Sequence, residues 1–268
     1  MKFRLRPANH RCGHGHSNGS SGRGIVVSTA RSLACLSSLV VLLLPPLFAR
    51  AAVLDEREVL YHVYANLNGD NWDEKWNTDD TDVCAYHGIE CNDAGKIIKI
   101  DLKDNNLAGS VSPHVYTLPH LRELDLSKNR ITSAGFDRIN VVIEEEDEIA
   151  DVEVIELTNN LVSSVEGVSR LAKSLTGLHM TFNNLKGAMP AELFRLPLLE
   201  ILAVSENELT GTIDKHLGNL TNLLEFYCYG NKLTGTIPSE IGKLTKMQII
   251  TVSNRAYYHS TRHSHLLS

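Results

Sequence analysis

The sequence predicts an α/β repeat fold: a curved solenoid with short parallel strands on its concave face and a helical, disulfide-bonded cap at its N-terminal end. Three observations predict it. Apolar residues recur with a period near 24, as Leu175, Leu178, Met180, Asn183, Leu185, then Leu199, Leu202, Val204, Asn207, Leu209, then Leu223, Phe226, Cys228, Asn231, Leu233. Within each copy the fourth and sixth positions flank a single outward position, the alternation of a strand with one buried face. A helical segment, two tryptophans and a cysteine pair precede the first copy, as the bare end of a repeat stack requires. In such a quasi-one-dimensional chain, function is read from a surface and not from a pocket.

Composition narrows the function classes. The chain has 268 residues and a formal net charge of −6. Of its 26 Lys and Arg, seven lie in residues 1–51, which hold no acid, so all 32 Asp and Glu fall on the remainder. An acidic body repels phosphate backbones, and a nucleic-acid partner is not expected.

Residues 1–31 form a basic leader rich in Gly, Ser and His, and residues 32–51 a signal peptide or signal-anchor segment. The uncharged apolar run from Leu33 to Phe48 is shorter than the ~20 residues of a membrane span. Pro45-Pro46 interrupt it, and Ala49-Arg50-Ala51 resembles a cleavage site. Cleavage and anchoring both remain open; in either case residues 52–268 enter the secretory pathway, with membrane contact only through this segment. His10, Cys12, His14 and His16 in the leader, like His259, His263 and His265 near the C-terminus, have no ordered scaffold to hold a metal.

The cap is expected over residues 52–96. Asp55 and Glu58 have capping-box spacing, and Val59, Leu60, Val63, Tyr64 and Leu67 share one helical face. Asn68-Gly69-Asp70 ends the helix, with Gly69 expected at positive φ. Trp72 and Trp76 are expected to cover the first repeat. Cys84 and Cys91, in an oxidising compartment, read as a disulfide closing a short loop, worth roughly 2–3 kcal/mol in the chain-entropy model. A zinc site with His87 is the alternative, but no fourth ligand lies nearby. Cys228 occupies an inward position and reads as a small buried hydrophobe.

About seven repeats are expected over 97–254, beginning at Ile97, Leu121, Val152, Leu175, Leu199, Leu223 and Met247. The ninth position holds Asn105, Asn129, Asn160, Asn183, Asn207 and Asn231; the seventh copy has Arg255 there. The chain turns at this position and leaves buried backbone groups unpaired. An asparagine, with one acceptor and two donors, can bond its own turn and the next. The second copy is longer and carries an acidic insertion over 143–151, read as a solvated loop. Residues 255–268 form an irregular tail, and the break in pattern after Asn254 suggests a truncated or misjoined chain.

After the asparagines come Leu107-Ala108-Gly109-Ser110-Val111, Leu185-Lys186-Gly187-Ala188-Met189-Pro190, Leu209-Thr210-Gly211-Thr212-Ile213 and Leu233-Thr234-Gly235-Thr236-Ile237-Pro238. With the cap residues Asn68-Gly69-Asp70-Asn71-Trp72 and Cys84-x-Tyr86-x-Gly88-Ile89-x-Cys91, they make residues 55–254 resemble a plant-type leucine-rich-repeat ectodomain. Receptor-like proteins, receptor kinases and polygalacturonase inhibitors share that pattern. The resemblance implies a leucine-rich-repeat solenoid and a recognition role; it names no ligand, since the fold hosts many. No kinase activity is implied for these residues.

The alignment identifies the outward strand residues. Position five gives Asp101, Asp125, Glu156, His179, Ala203, Tyr227 and Thr251. Position seven gives Lys103, Ser127, Thr158, Thr181, Ser205, Tyr229 and Ser253, and position eight Asp104, Lys128, Asn159, Phe182, Glu206, Gly230 and Asn254. His179, Phe182, Glu225, Tyr227 and Tyr229 are the ligand-binding candidates, because aromatic side chains anchor interfaces. Covering the C-terminal end of the stack is the rival role for the aromatic group, and pairing with Lys99, Lys103 and Arg122 the rival role for the aspartates. Asn219, in Asn219-Leu220-Thr221, is a glycosylation acceptor.

Three functions follow. The first is a non-catalytic recognition module binding a protein, peptide or glycan on its concave face. The second is a secreted inhibitor of a cell-wall hydrolase. The least supported is an enzyme using Asp101 and Asp125, because an open face does not exclude water. No cofactor and no metal is expected.

Overall fold

The computed structural model describes residues 54–143 and 148–252. The basic leader, the signal segment, Glu144–Asp147 of the acidic insertion and residues 253–268 lie outside the described residues.

Helix α1 (Glu56–Asn66) opens the cap. Asp55 Oδ1 accepts from Glu58 N at 2.8 Å and Glu58 Oε2 from Asp55 N at 3.1 Å, a reciprocal capping box. At its other end it is Asn68, not Gly69, that adopts the left-handed conformation, with φ +60°. Gly69 serves close approach instead: a Cβ there would lie 2.3 Å from the Tyr64 ring. Trp72 and Trp76 are buried, their rings edge to face at 4.9 Å. Trp72 Nε1 donates to Leu67 O and Trp76 Nε1 to His87 O, each at 2.8 Å. Cys84 and Cys91 are joined by a disulfide.

The main sheet has eight strands. β1 (Ile89–Cys91) belongs to the cap and pairs antiparallel with β2 (Ile97–Asp101). The rest are parallel, one from each repeat: β4 (Glu123–Asp125), β6 (Val154–Glu156), β7 (Gly177–His179), β9 (Ile201–Ala203), β11 (Glu225–Tyr227) and β13 (Ile249–Thr251). Asp101, Asp125, Glu156, His179, Ala203, Tyr227 and Thr251 stand in one register row across these strands.

Past every ladder asparagine except Asn160 the chain runs extended again and forms small second sheets that the apolar pattern does not announce. β3 (Ala108–Ser110) pairs with β5 (Arg130–Ser133), and β8 (Lys186–Ala188), β10 (Glu208–Gly211) and β12 (Lys232–Leu233) form a three-stranded sheet. The buried Leu107, Leu185 and Leu209 pin these segments, while the residues after them pair through backbone. Short 3₁₀ helices then return the chain along the convex side, among them Pro113–Thr117, Ala191–Arg195, Lys215–Asn219 and Ser239–Lys243. Pro113 starts one, Pro190 and Pro238 precede two others, and Asp214 caps the fourth by accepting from His216 N at 2.8 Å. In the long second copy, residues 136–142 are helical and bury Phe136 and Ile139.

The asparagine ladder is regular. Each side-chain oxygen accepts from the position-eleven N–H of the preceding copy: Leu107, Ile131, Val162, Leu185 and Leu209, all at 2.9 Å. Each side-chain nitrogen donates to two consecutive position-six carbonyls, as Asn183 does to Leu157 O at 2.8 Å and Met180 O at 3.2 Å. The ladder therefore ties each turn to the copy before it, not to the copy after. Asn105 extends it into the cap, accepting from Glu74 N at 2.6 Å and donating to Glu74 O at 3.1 Å.

Among the described residues no helix is long and apolar enough to cross a membrane, and no group of three or more His, Cys, Asp or Glu side chains is placed to hold a metal ion.

Replacing Asn183 with Ala strands the buried Val162 N–H and removes a donor from two carbonyls. At ~1–3 kcal/mol per unsatisfied group, the expected loss is about 2–4 kcal/mol by urea denaturation. Asn183→Asp is expected to be no milder, because an ionised carboxylate cannot donate to Leu157 O or Met180 O.

Candidate functional site

The concave sheet brings the candidate residues onto β7 and β11 and the turns that follow them, with β9 between. His179 ends β7, and Tyr227 stands in its register row two strands away with Ala203 between them. His179 rests against a bare floor: a Cβ on Gly177 would meet His179 Nε2 and Val154 at 3.4 Å. Tyr227 Oη donates to Glu225 Oε2 at 2.8 Å, fixing both side chains at the edge of β11. Tyr229 is half-buried and Phe182 is 53% exposed.

The positions are not equally outward. Lys103 is exposed, whereas Ser127, Ser205, Ala203 and Thr251 are buried. Strands lie only ~4.8 Å apart, so the long neighbours of a small side chain close over it. Ser205 Oγ and Thr251 Oγ1 find no hydrogen-bond partner among the described residues. The aspartates of position five bond locally: Asp101 Oδ1 accepts from Lys103 N at 3.3 Å and Asp125 Oδ1 from Ser127 N at 2.8 Å. Arg122 pairs with Asp151 and Glu153 and leaves Asp125 alone, while Lys99 meets Glu123 at 2.8 Å.

Position eight carries a conformation that apolar periodicity does not reveal. Asp104, Lys128, Asn159, Phe182, Glu206 and Gly230 all have positive φ, from 52° to 67°. The turn into the ladder imposes a left-handed residue on all six copies whose position eight is described. Asp, Asn and Gly tolerate it; a bulky aromatic does not, at a cost of about 1–2 kcal/mol. Phe182 therefore stands strained and exposed on the rim of the concave face.

Electrostatics centre on Glu156. Burial, with the charge of Asp125, pushes its carboxyl from an ordinary 4.5 up to about 7, against the partial relief of Lys103 and Thr158. His179 Nδ1 lies 3.3 Å from Glu156 Oε1. Burial lowers the His179 imidazole, opposed by Glu225 and Asp125. Both shifts disfavour charge, so near neutrality this contact is weaker than a full ion pair. Burial pushes the Cys228 thiol up to about 12, which leaves it inert. Asn219 and Thr221 are exposed at the end of a convex-side 3₁₀ helix.

These features define a leucine-rich-repeat solenoid, similar to the repeats of plant receptor ectodomains. Family models described as leucine-rich repeat match residues 117–136 and 222–244. Receptor-like protein 32 of Arabidopsis thaliana is 30% identical over 132 residues, 49% of this chain and 12% of its own length. Serine/threonine-protein kinase BRI1-like 1 of the same plant is 32% identical over 134 residues, 48% of this chain and 11% of its own. The chain thus spans only about a tenth of these relatives. Among solved structures, that of the Arabidopsis receptor kinase HAESA in complex with the peptide hormone IDA and the co-receptor SERK1 superposes with a TM-score of 0.62 at 26% identity. The match covers 73% of this chain and 33% of that one.

Two outcomes test this geometry. Phe182→Asn removes the strain and is expected to stabilise the fold by about 0.5–1 kcal/mol, read as a raised urea midpoint. Glu156 has a raised folded-state pKa, so its contribution is fully present below about pH 4.5 and is lost as pH rises through about 7. The separation corresponds to about 3 kcal/mol, which partial solvent access reduces to roughly 1–2 kcal/mol. Glu156→Gln is therefore expected to flatten stability between pH 4.5 and 8 and to exceed the parent only at the alkaline end.

Proposed function

We propose that the chain is a non-catalytic recognition module that binds a peptide or protein segment on its concave face, in an extracellular or membrane-associated setting. Phe182 carries the reading. The fold forces position eight into the left-handed region, and an aromatic there costs stability while remaining half open to water. A residue that weakens its own framework and presents apolar surface is accounted for by a contact outside the chain. His179, Glu225, Tyr227 and Tyr229 extend the same surface toward β11. The HAESA structure, a receptor kinase holding a peptide hormone, shows a relative of this fold in that role. Asn219, on the convex side, is a proposed glycan acceptor that leaves the concave sheet open.

Panning the full chain against a displayed library of random 12-residue peptides tests the reading. Enriched peptides are expected to lose at least tenfold in affinity to Phe182→Asn and to the double variant Tyr227→Ser, Tyr229→Ser, with the fold of the Asn variant intact by thermal unfolding. If the serine pair loosens the protein but leaves peptide binding unchanged, the tyrosines are structural; if both variants bind as the parent does, the concave site is wrong.

A further inference from the structure

We propose that the segment bound on this face is cationic, its Lys or Arg side chains set against Glu156, Glu206 and Glu225 beside the aromatic edge of Phe182 and Tyr227, and that acid releases it. The inference rests on the recognition reading and adds the partner's chemistry and its response to pH.

The two halves of the concave face differ in how their charge is met. In the first two copies acids alternate with Lys99, Lys103 and Lys128, and Lys99 is bonded to Glu123. From β6 onward the outward positions hold Glu156, Glu206 and Glu225 and no Lys or Arg through Gly230. Among the described residues none of the three forms a salt bridge with Lys or Arg. Glu156 contacts His179, and Glu225 accepts from Tyr227. The Glu206 carboxylate occupies the space over Gly230, where a Cβ would come within 2.5–2.7 Å of it. Gly230 thus leaves room for a carboxylate that makes no salt bridge with Lys or Arg among the described residues. Three such carboxylates spread over the strands from β6 to β11, next to exposed aromatic surface, complement an extended segment bearing separated positive charges.

The groups around Glu156 make the complementarity pH-dependent. Asp125 and Glu123 from β4, Lys103 from the first copy, Thr158 on its own turn and His179 from β7 surround it. Glu225 and Asp125 in turn act on His179. A cation placed against Glu156 favours its ionised form, so binding near neutrality expels a proton. Acidification protonates Glu156, which subtracts negative charge from the patch. If only the ionised form binds, affinity falls roughly tenfold or more between pH 7.5 and 5.5.

The test uses the full chain on arrays of 10-residue peptides of matched apolar content with net charge +3, 0 or −3. The expected result is at least tenfold stronger retention on the +3 set at pH 7.5, and about tenfold less at pH 5.5. Glu156→Gln with Glu225→Gln should bring the +3 set down to the neutral one and remove the pH dependence. Glu166→Gln, a charge change at an exposed position outside these strands, should do neither. Equal retention across the sets, a preference for the −3 set, pH-independent binding, or an equal effect of Glu166→Gln overturns the proposal. Peptides of the neutral or −3 set that bind and are lost with Phe182→Asn leave the recognition reading intact and sink only the cationic partner. No retention of any set above the Phe182→Asn background sinks both.

Discussion

The structure depends on turning the backbone inside its own core. Each copy leaves its strand with peptide groups that no neighbouring strand can reach, and the ninth-position asparagine meets them. One side chain accepts from the preceding copy and donates to two carbonyls, one in each copy. The same turn sets the residue before it at positive φ and sends the residues after it into the second sheets. Register follows as well. With the asparagines stacked, position five of every copy falls in one row, and the concave face becomes a lattice whose rows are fixed and whose occupants are free.

That division explains why the framework and the site obey different rules. Leu223, Phe226 and Cys228 fill the core and are buried as their counterparts are in the five preceding copies, while Met247, Ile250 and Val252 of the next copy are only half-buried. The cap joins the same scheme instead of merely lying on it: β1 adds a strand to the sheet, Ala108 N donates to Leu67 O, and Glu74 supplies both backbone partners of Asn105. The N-terminal end therefore carries no unpaired ladder group at Asn105. Copies differ in what they place outward: outward Lys ends with Lys128, after β4, and outward aromatics begin with Phe182, after β7.

Most of the framework was legible in the sequence because it is built from side chains that repeat. Period, asparagine positions and cap helix are side-chain patterns, and they read directly. What the sequence concealed is carried by backbone or by proximity across copies. The second sheets pair through main chain at Lys186, Gly187 and Ala188, which show no alternation. The ladder's direction depends on which copy lies within reach of the amide, a property of the stacking. Ser205 and Ala203 occupy outward positions but are buried, because larger neighbours on adjoining strands cover them. Asn68 holds the left-handed conformation expected of Gly69, and the glycine is required instead by the approach of the Tyr64 ring. The state of Glu156 was hidden for the same reason: its partners Asp125 and His179 are 31 and 23 residues away in the chain and one strand away in space.

The costs in this molecule are unevenly placed. The ladder, the capping box and the buried tryptophans satisfy their polar groups almost completely. Unmet hydroxyls also occur away from the concave face, at Ser112 and Ser174, but the unmet hydroxyl of Ser205, the desolvated carboxyl of Glu156 and the strained backbone of Phe182 lie together on neighbouring strands of that face. A sequence shaped for stability alone would place Asn or Gly at 182 and a neutral side chain at 156, as other copies show it can at equivalent positions: Asn159 and Gly230 for the first, Ala203 and Thr251 for the second. Local disagreement with an otherwise consistent framework is what a functional surface produces, because a binding face must hold in readiness groups that a partner, and not the fold, completes. Glu156, Phe182 and Ser205 are departures of this kind on neighbouring strands, and they sit on the face where the proposed partner would complete them.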